Sequence, residues 1–327
     1  MCSLAVSGIV ALRVGVICVC VAPVVGCRNS ISASAKPSMR TLRLVTSNSG
    51  ASAYRLGTAL SVAFQSAQSE LRLHITESVG SIQNVQAIEA GDADVGFAFA
   101  DVAYLAFSGH LNGRPFRRLS GIAVLQASPV HLIVGKSSGI HSATDLSRRR
   151  VGIGIPASGS SLIANLVLRA FGVDTRTVVF DETPAREAAH RTASGDLDAL
   201  LVMATDPYDP ITVVMRSGGR LLPVEGPAVD RLRRNAPFVH LTAIAPNTYV
   251  GQTTAVHTIA IDNVLLCRRD LDEDVVYELT KQFFDVLPSF APSEASLRLI
   301  DLAWVDATPI PLHDGAARYY RERELSR

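Results

Sequence analysis

Gly91-Asp92-Ala93-Asp94-Val95 and, further along the chain, Gly195-Asp196-Leu197-Asp198-Ala199 are one signal written twice. In each copy a glycine can take the left-handed conformation that ends a helix, and the first aspartate can hydrogen-bond the backbone as it turns into a strand. Each copy follows a helical pattern, over Ser81–Ala90 and Pro184–Ser194, and leads into a buried apolar run, Val95–Phe99 and Ala199–Met203. One step further out, Leu71–Ile75 and Thr177–Phe180 read as strands, preceded by helical patterns over Tyr54–Ala67 and Leu162–Phe171. Those helices open from the small-residue turns Ser47-Asn48-Ser49-Gly50 and Pro156-Ala157-Ser158-Gly159-Ser160, which follow strands at Thr41–Thr46 and Arg150–Ile155. Strands separated by single helices imply βαβ units with parallel pairing, so the repeat predicts two lobes of similar α/β build. Ile122–Leu125, Val130–Gly135 and Thr258–Cys267 are further extended runs, and a long helix is expected from Asp272 through Phe284. A chain that leaves the first lobe near Gly135 and returns near Val264 would place two crossing segments side by side as a hinge.

The 327 residues are 48% hydrophobic and 19% charged, with 31 Lys+Arg against 30 Asp+Glu, which suits about two domains and excludes a disordered chain. Balanced charge without a basic run excludes a nucleic-acid partner, which needs a face that neutralises phosphates. Part of the apolar share lies in one segment: from Ser3 to Gly26 the only charge is Arg13. Its core, Val14–Ala22, has the length of an export-signal h-region rather than of a membrane span. It ends in Val24-Val25-Gly26-Cys27, the pattern of a bacterial lipobox, which makes Cys27 the expected site of lipidation and membrane attachment; Ala33-Ser34-Ala35 is a competing site for ordinary cleavage. The expected organisation is therefore a leader over residues 1–27, a Ser/Ala-rich tether over 28–40, a first lobe from 41–133 with 262–327, and a second from 134–261. Cys2, Cys18 and Cys20 leave with the leader and Cys27 carries lipid, so Cys267 is left as a single thiol with no disulfide partner. Removing the leader costs one Arg and no acid, so net charge does not attract the ligand.

No catalytic constellation emerges. Gly152-Ile153-Gly154-Ile155-Pro156-Ala157 imitates a dinucleotide fingerprint, but Pro156 interrupts it and the helix starts only after Ser158. The eight histidines lack metal-ligand spacing, the Asp-x-Asp pairs lack the Glu of a calcium loop, and no Gly-x-Ser-x-Gly elbow is present. No cofactor or metal is expected. The informative positions are the turns at the C-terminal ends of parallel strands, where open α/β sheets bind ligands. Several are Ser/Gly loops that open a helix, so hydroxyls, free N–H groups and the positive end of the helix dipole converge there and can hold a carboxylate without a basic side chain.

These residues, in their order and spacing, resemble the TAXI solute receptors, the TRAP-associated extracytoplasmic immunogenic proteins of tripartite ATP-independent periplasmic transporters. The resemblance spans about residues 41–320. It is carried by Ser49-Gly50 with Tyr54-Arg55-Leu56-Gly57, Gly80-Ser81-Ile82-Gln83-Asn84, Gly91–Phe97 with Asp101-Val102-Ala103-Tyr104, Ser158-Gly159-Ser160, Pro246-Asn247-Thr248-Tyr249, Val276–Lys281, and Pro311–Ala316 with Tyr319-Tyr320. It implies a type II periplasmic binding-protein fold, two α/β lobes joined by a hinge and closing on a small organic solute. That solute, an acidic amino acid or 2-oxo dicarboxylate by family association, would pass to a TRAP-type membrane permease. By position, Ser49, Gly50, Ser52, Tyr54, Ser81, Asn84, Asp101 and Tyr104 would form the wall in lobe one, faced by Ser158, Gly159, Ser160 and Thr205. Two other readings stand beside this one: a sensory receptor of the same fold that reports to a membrane kinase, and an enzyme built around Asp101, Asp181 or Glu182.

Overall fold

The computed structural model describes residues 39–49, 52–67, 70–156, 158–290, 300 and 303–325. The leader, Cys27 and the tether as far as residue 38 lie outside them. The described chain starts with β1 (Arg40–Val45), α1 (Ser52–Ser66), β2 (Leu71–Thr76), α2 (Ser81–Ala90), β3 (Val95–Phe99) and α3 (Ala100–Ser108). A long strand, β4 (Leu119–Val134), leads to β5 (Arg150–Gly152), α4 (Gly159–Ala170), β6 (Val179–Asp181), α5 (Ala185–Ser194), β7 (Ala199–Met203) and α6 (Asp209–Arg216). Then come β8 (Arg220–Leu222), α7 (Pro227–Asn235), β9 (Val239–Ile244), a second long strand β10 (Val256–Arg268), α8 (Glu273–Phe290) and α9 (Asp314–Leu325).

The first half of the sheet has the order β2-β1-β3-β10-β4, with β1 parallel to β2 and β3 and β10 antiparallel to β3 and β4. The second has the order β6-β5-β7-β4, in which β5 is parallel to both neighbours and β4 runs antiparallel to β7. β4 and β10 belong to both halves. They pair with each other through Leu119–Pro129 and Ala260–Arg268, and beyond that stretch β4 takes β7 and β8 as partners while β10 takes β9.

The sequence divides β4 into two runs because Gln126-Ala127-Ser128-Pro129 interrupts its apolar pattern; the structure keeps one strand of 16 residues. Pro129 is tolerated because its carbonyl faces the β7 side, accepting from the Ala204 N–H, and the β7 ladder ends one residue away at Val130 opposite Met203. Its missing N–H therefore falls where no strand calls for it.

Strand alternation sorts the apolar side chains into layers. Leu42 and Leu44 of β1, Phe97 of β3 and Leu265 of β10 pack under α1, α8 and α9. Ala98 and Val264 face the opposite side with Val85, Ile88 and Val102 of α2 and α3. That second layer continues without a break into the other half, through Leu132 and Val134 of β4 to Leu201 of β7 and Ile163 and Val167 of α4.

The twin Gly-Asp-x-Asp signals form twin structures. Gly91 and Gly195 are left-handed caps of α2 and α5, at φ 88° and 91°. The second aspartate of each signal, not the first, ties the turn to the sheet. Asp94 accepts from the backbone N–H of Arg43 at 2.9 Å and from its guanidinium at 2.9 and 3.0 Å, while the same guanidinium donates to the Gly91 carbonyl. In the second half Asp198 holds the backbone and guanidinium of Arg150, which donates to the Gly195 carbonyl in the same way. Arg150 is thus half of a strand clasp. The Arg150 guanidinium holds the Asp198 carboxyl below its ordinary range; Asp94 is lowered too, where burial opposes the shift and the Arg43 hydrogen bonds outweigh it. Charge-assisted bonds of this kind contribute about 1.5–3 kcal/mol each. Asp94→Ala and Asp198→Ala should each destabilise the chain by about 2 kcal/mol and combine additively, since they share no partner; denaturant titration of the two single variants and the double variant measures this.

Candidate functional site

β1, β2 and β3 end along one edge of the first half, and β5, β6 and β7 along one edge of the second. At such edges the turns into helices leave N–H groups unpaired. In this structure the two edges touch. A Cβ added to Gly159, the first residue of α4, would overlap the Phe99 ring at the end of β3. Gly80, ahead of α2, faces the Ser158 backbone, and a Cβ there would lie 3.6 Å from Ser158 Cα. The Tyr104 ring on α3 packs 5.6 Å, centre to centre, from the buried ring of Phe238 in the second half.

Hydrogen bonds fix the groups around Phe99. Its N–H donates to Ser81 Oγ at 3.1 Å. Asn84 spans the ends of β1 and β3, its Nδ2 donating to the carbonyls of Thr46 and Phe97. With both amide hydrogens so used, the orientation of the amide is fixed and Asn84 Oδ1 is the free acceptor. Opposite Phe99 in the ladder stands Asn263, which donates to the Gln126 carbonyl at 2.9 Å and to Ser128 Oγ at 2.8 Å. Asp101 lies in the first turn of α3 and is completely buried. Its Oδ1 accepts the Val102 N–H at 2.7 Å, and burial pushes its carboxyl up to about 7 despite the backbone N–H groups that favour the anion. In the second half, Ser158 caps α4 by accepting the Ser161 N–H at 3.3 Å, and Ser160 Oγ accepts the Met203 N–H at 3.1 Å, joining α4 to the end of β7.

Several side-chain atoms in this neighbourhood are buried and accept or donate nothing within the protein: Ser47 Oγ, Asn84 Oδ1, Asp101 Oδ2, Gln126 Oε1 and Thr205 Oγ1. Buried polar atoms are nearly always bonded. These atoms lie on strand ends and at the crossing of β4 and β10.

The structure thus brings Ser81, Asn84, Asp101, Tyr104, Ser158, Gly159, Ser160 and Thr205 to the facing edges. Ser49 is exposed, with its N–H donated to Glu77 at 3.1 Å, and Tyr54 is half-buried on α1. Gly50 and the Ser52 side chain lie outside what the structure describes. Sequence reasoning marks Phe99-Ala100-Asp101 as a strand-end stretch but missed Phe238 and Gln126; the one signal for Gln126 is the polar break in an apolar strand. It also missed the role of His131 on β4. Tyr249 reads in the sequence as a candidate for the cleft lining, yet it is buried and its hydroxyl bonds His131 Nε2 at 2.9 Å and accepts the Tyr208 N–H at 3.0 Å. His131 Nδ1 donates to the Pro129 carbonyl at 3.1 Å, so Nε2 accepts from Tyr249, and burial lowers the imidazole to about 4. This chain anchors the loop that carries Thr205 to the crossing strand.

Of the carboxylates considered for chemistry, Asp181 is engaged by Thr183 and Arg191. Cys267 is buried, and burial pushes its thiol up, away from nucleophilic character. Among the described residues no group of three or more His, Cys, Asp and Glu is placed to hold a metal ion, and no helix is long and apolar enough to cross a membrane.

Two α/β halves joined by two crossing strands, with loops at strand ends meeting between them, define the two-lobe fold of periplasmic binding proteins. Solved structures share it. The chain aligns with MatC from Rhodopseudomonas palustris, a structure with bound malate, at 14% identity and a TM-score of 0.54 over 88% of this chain and 99% of that one. A protein from Bordetella bronchiseptica RB50 aligns at 15% identity and 0.55, over 87% and 98%. The chain belongs to the NMT1-like family, whose model matches residues 44–323.

Asp101 and His131 give stability opposite pH dependences. The folded state keeps the Asp101 proton that the unfolded chain loses above 3.8, so this contribution to stability falls as pH rises from 3.8 to about 7. The folded state refuses the proton that an unfolded His131 takes up below 6.5, so the second contribution falls as pH drops from 6.5 to about 4. Thermal unfolding between pH 4 and 6.5 should show a more positive slope of stability against pH in Asp101→Asn than in the parent, and a more negative slope in His131→Gln. Each difference should accumulate to the order of 3 kcal/mol across the window.

Proposed function

We propose that this chain is a non-catalytic extracytoplasmic receptor that carries a small organic acid or amino acid to a TRAP-type membrane permease. The observation that carries this reading is the meeting of the two strand-end edges at Phe99 and Gly159, with unpartnered buried polar atoms gathered around that contact. Family membership and the two-lobe fold support the receptor class. Residues 41–133 with 262–327 act as one lobe and 134–261 as the other, moving about β4 and β10 so that solute binding shifts the population from open to closed. Ser81, Asn84, Asp101, Tyr104, Ser158, Ser160 and Thr205 line the cleft, with Ser49, Gly50, Ser52 and Tyr54 as further candidates carried by the family resemblance, and the backbone at Gly159 closes it. The N-termini of α2 and α4 supply N–H groups for a carboxylate. Cys27 carries the lipid that keeps the receptor at the membrane, and mass spectrometry of the exported protein reads that modification directly.

Calorimetry against a panel of organic acids and amino acids, with small-angle scattering of the same samples, tests the proposal: a binding solute should reduce the radius of gyration. Absence of both binding and compaction across the panel would remove its basis. Gly159→Ala gives a second test. The added methyl group overlaps the Phe99 ring where the edges meet, so it opposes their contact. Affinity for the solute found above should drop about tenfold or more, and Phe99→Leu in the same chain should restore part of the loss.

A further inference from the structure

Asp101 differs from the other polar residues at the meeting edges. It is the one fully buried carboxyl there, one of its oxygens has no partner within the protein, and among the described residues no Arg or Lys pairs with it. It also occupies the N-terminal turn of its own helix: Oδ1 takes the Val102 N–H, so α3, unlike α2 and α4, has its positive end already answered by a carboxylate. A second carboxyl, Asp206, follows Thr205 at the opposite edge and is likewise without a basic partner among the described residues. Asn84 adds an acceptor whose orientation is fixed by its two donated bonds. The edges therefore offer hydroxyls and helix N–H groups for a ligand carboxylate, and in addition two buried oxygens, Asn84 Oδ1, which only accepts, and Asp101 Oδ2, which only accepts once its carboxyl has ionised.

We propose that Asp101 is the specificity-determining residue of the cleft and takes a protonated amine of the solute, so that the receptor selects amino-bearing acids over their 2-oxo and deaminated counterparts. This rests on the receptor reading above and narrows its solute class. An ammonium placed at Asp101 Oδ2 supplies the missing donor and, once the carboxyl has ionised, the missing positive charge, whereas a 2-oxo group has no donor for Asn84 and none for the ionised Asp101.

A consequence in protons follows. The charged and titratable groups on the elements packed against α3 are Glu89 on α2, Arg169 on α4, and His257, Asp262, Cys267 and Arg268 on β10; β3 has none, and α3 itself adds Tyr104. Glu89 is held by the backbone of Arg117 and Arg118, Asp262 by His240, and Arg268 by Asp94 and Asp270. None of these groups contributes to the Asp101 shift, which burial alone produces against the local backbone N–H groups. A carboxyl that is partly protonated near neutral pH must give up that proton to hold an ammonium, so binding releases protons at pH 6–7 and tightens as pH rises through about 7.

The test pairs each amino acid with its analogues: L-glutamate with 2-oxoglutarate and glutarate, L-aspartate with succinate, L-alanine with pyruvate. Calorimetry at pH 6.5 in two buffers of different ionisation enthalpy counts the protons. The expected result is that amino members bind at least tenfold more tightly than their partners and release protons, and that Asp101→Asn abolishes both the preference and the release. Should that variant fail to fold, the parent's own preference and proton count decide. Equal or tighter binding of the oxo or deaminated members, or proton uptake on binding, would overturn this assignment and leave the receptor reading standing. Failure of every member to bind or to compact the protein would overturn both.

Discussion

Everything in this structure hangs on the antiparallel pairing of β4 with β10. Each strand is long enough to serve both halves of the sheet, and each changes partners along its length, β4 from β10 to β7 and β8, β10 from β3 and β4 to β9. Because the pair is shared, the register of one half constrains the other, and the ends of β3 and β7 are brought to face each other across the pair. The ladder slips between Asp262 and Val264 and again between Leu265 and Leu266, where the register of β10 against β4 shifts. Bulges of this kind bend and twist a strand locally. The polar segment Gln126-Ala127-Ser128-Pro129 sits at the same level, cross-linked through Asn263. One apolar layer runs through both halves past this point.

Around that pivot the site is assembled from weak local elements instead of net charge. The sheet edges present hydroxyls, an amide and helix starts, and the residues that hold them are themselves tied to strand backbones: Ser81 to Phe99, Ser160 to Met203, Asn84 to Thr46 and Phe97. The loop after β7 is secured from behind by Tyr249 and His131. Burial keeps Asp101 partly protonated and His131 neutral, so both ionisable groups sit in low-charge forms inside the protein. This preorganisation limits what a solute must order on arrival.

The repeat at Gly91 and Gly195 already contained the two α/β halves, because helix caps, apolar strands and small-residue turns are local signals that each act within a few residues. The same locality explains where the reading failed. It assigned the backbone turn to Asp92 and Asp196, whereas the clasp is made by Asp94 and Asp198 to arginines on a neighbouring strand, a partner no local pattern reveals. It cut β4 at its polar middle, since the tolerance of Pro129 depends on where β7 happens to end. It left Tyr249 open between cleft and core, because the partner of its hydroxyl is a histidine 118 positions away.

The sequence by itself determined the alternation of elements, the balanced charge, and the candidates Ser81, Asp101, Ser158, Gly159, Ser160 and Thr205, because strand ends and helix starts follow from propensity and periodicity; Asn84 came from the family resemblance. Only the tertiary structure decided which of these meet, that Phe99 and Gly159 form the contact between the halves, that Gln126 joins them, and that Asp101 is stripped of water without a counter-charge. Burial and partnership are properties of the packed chain. They arise when β4 and β10 bring distant segments together, and no stretch of residues carries them alone.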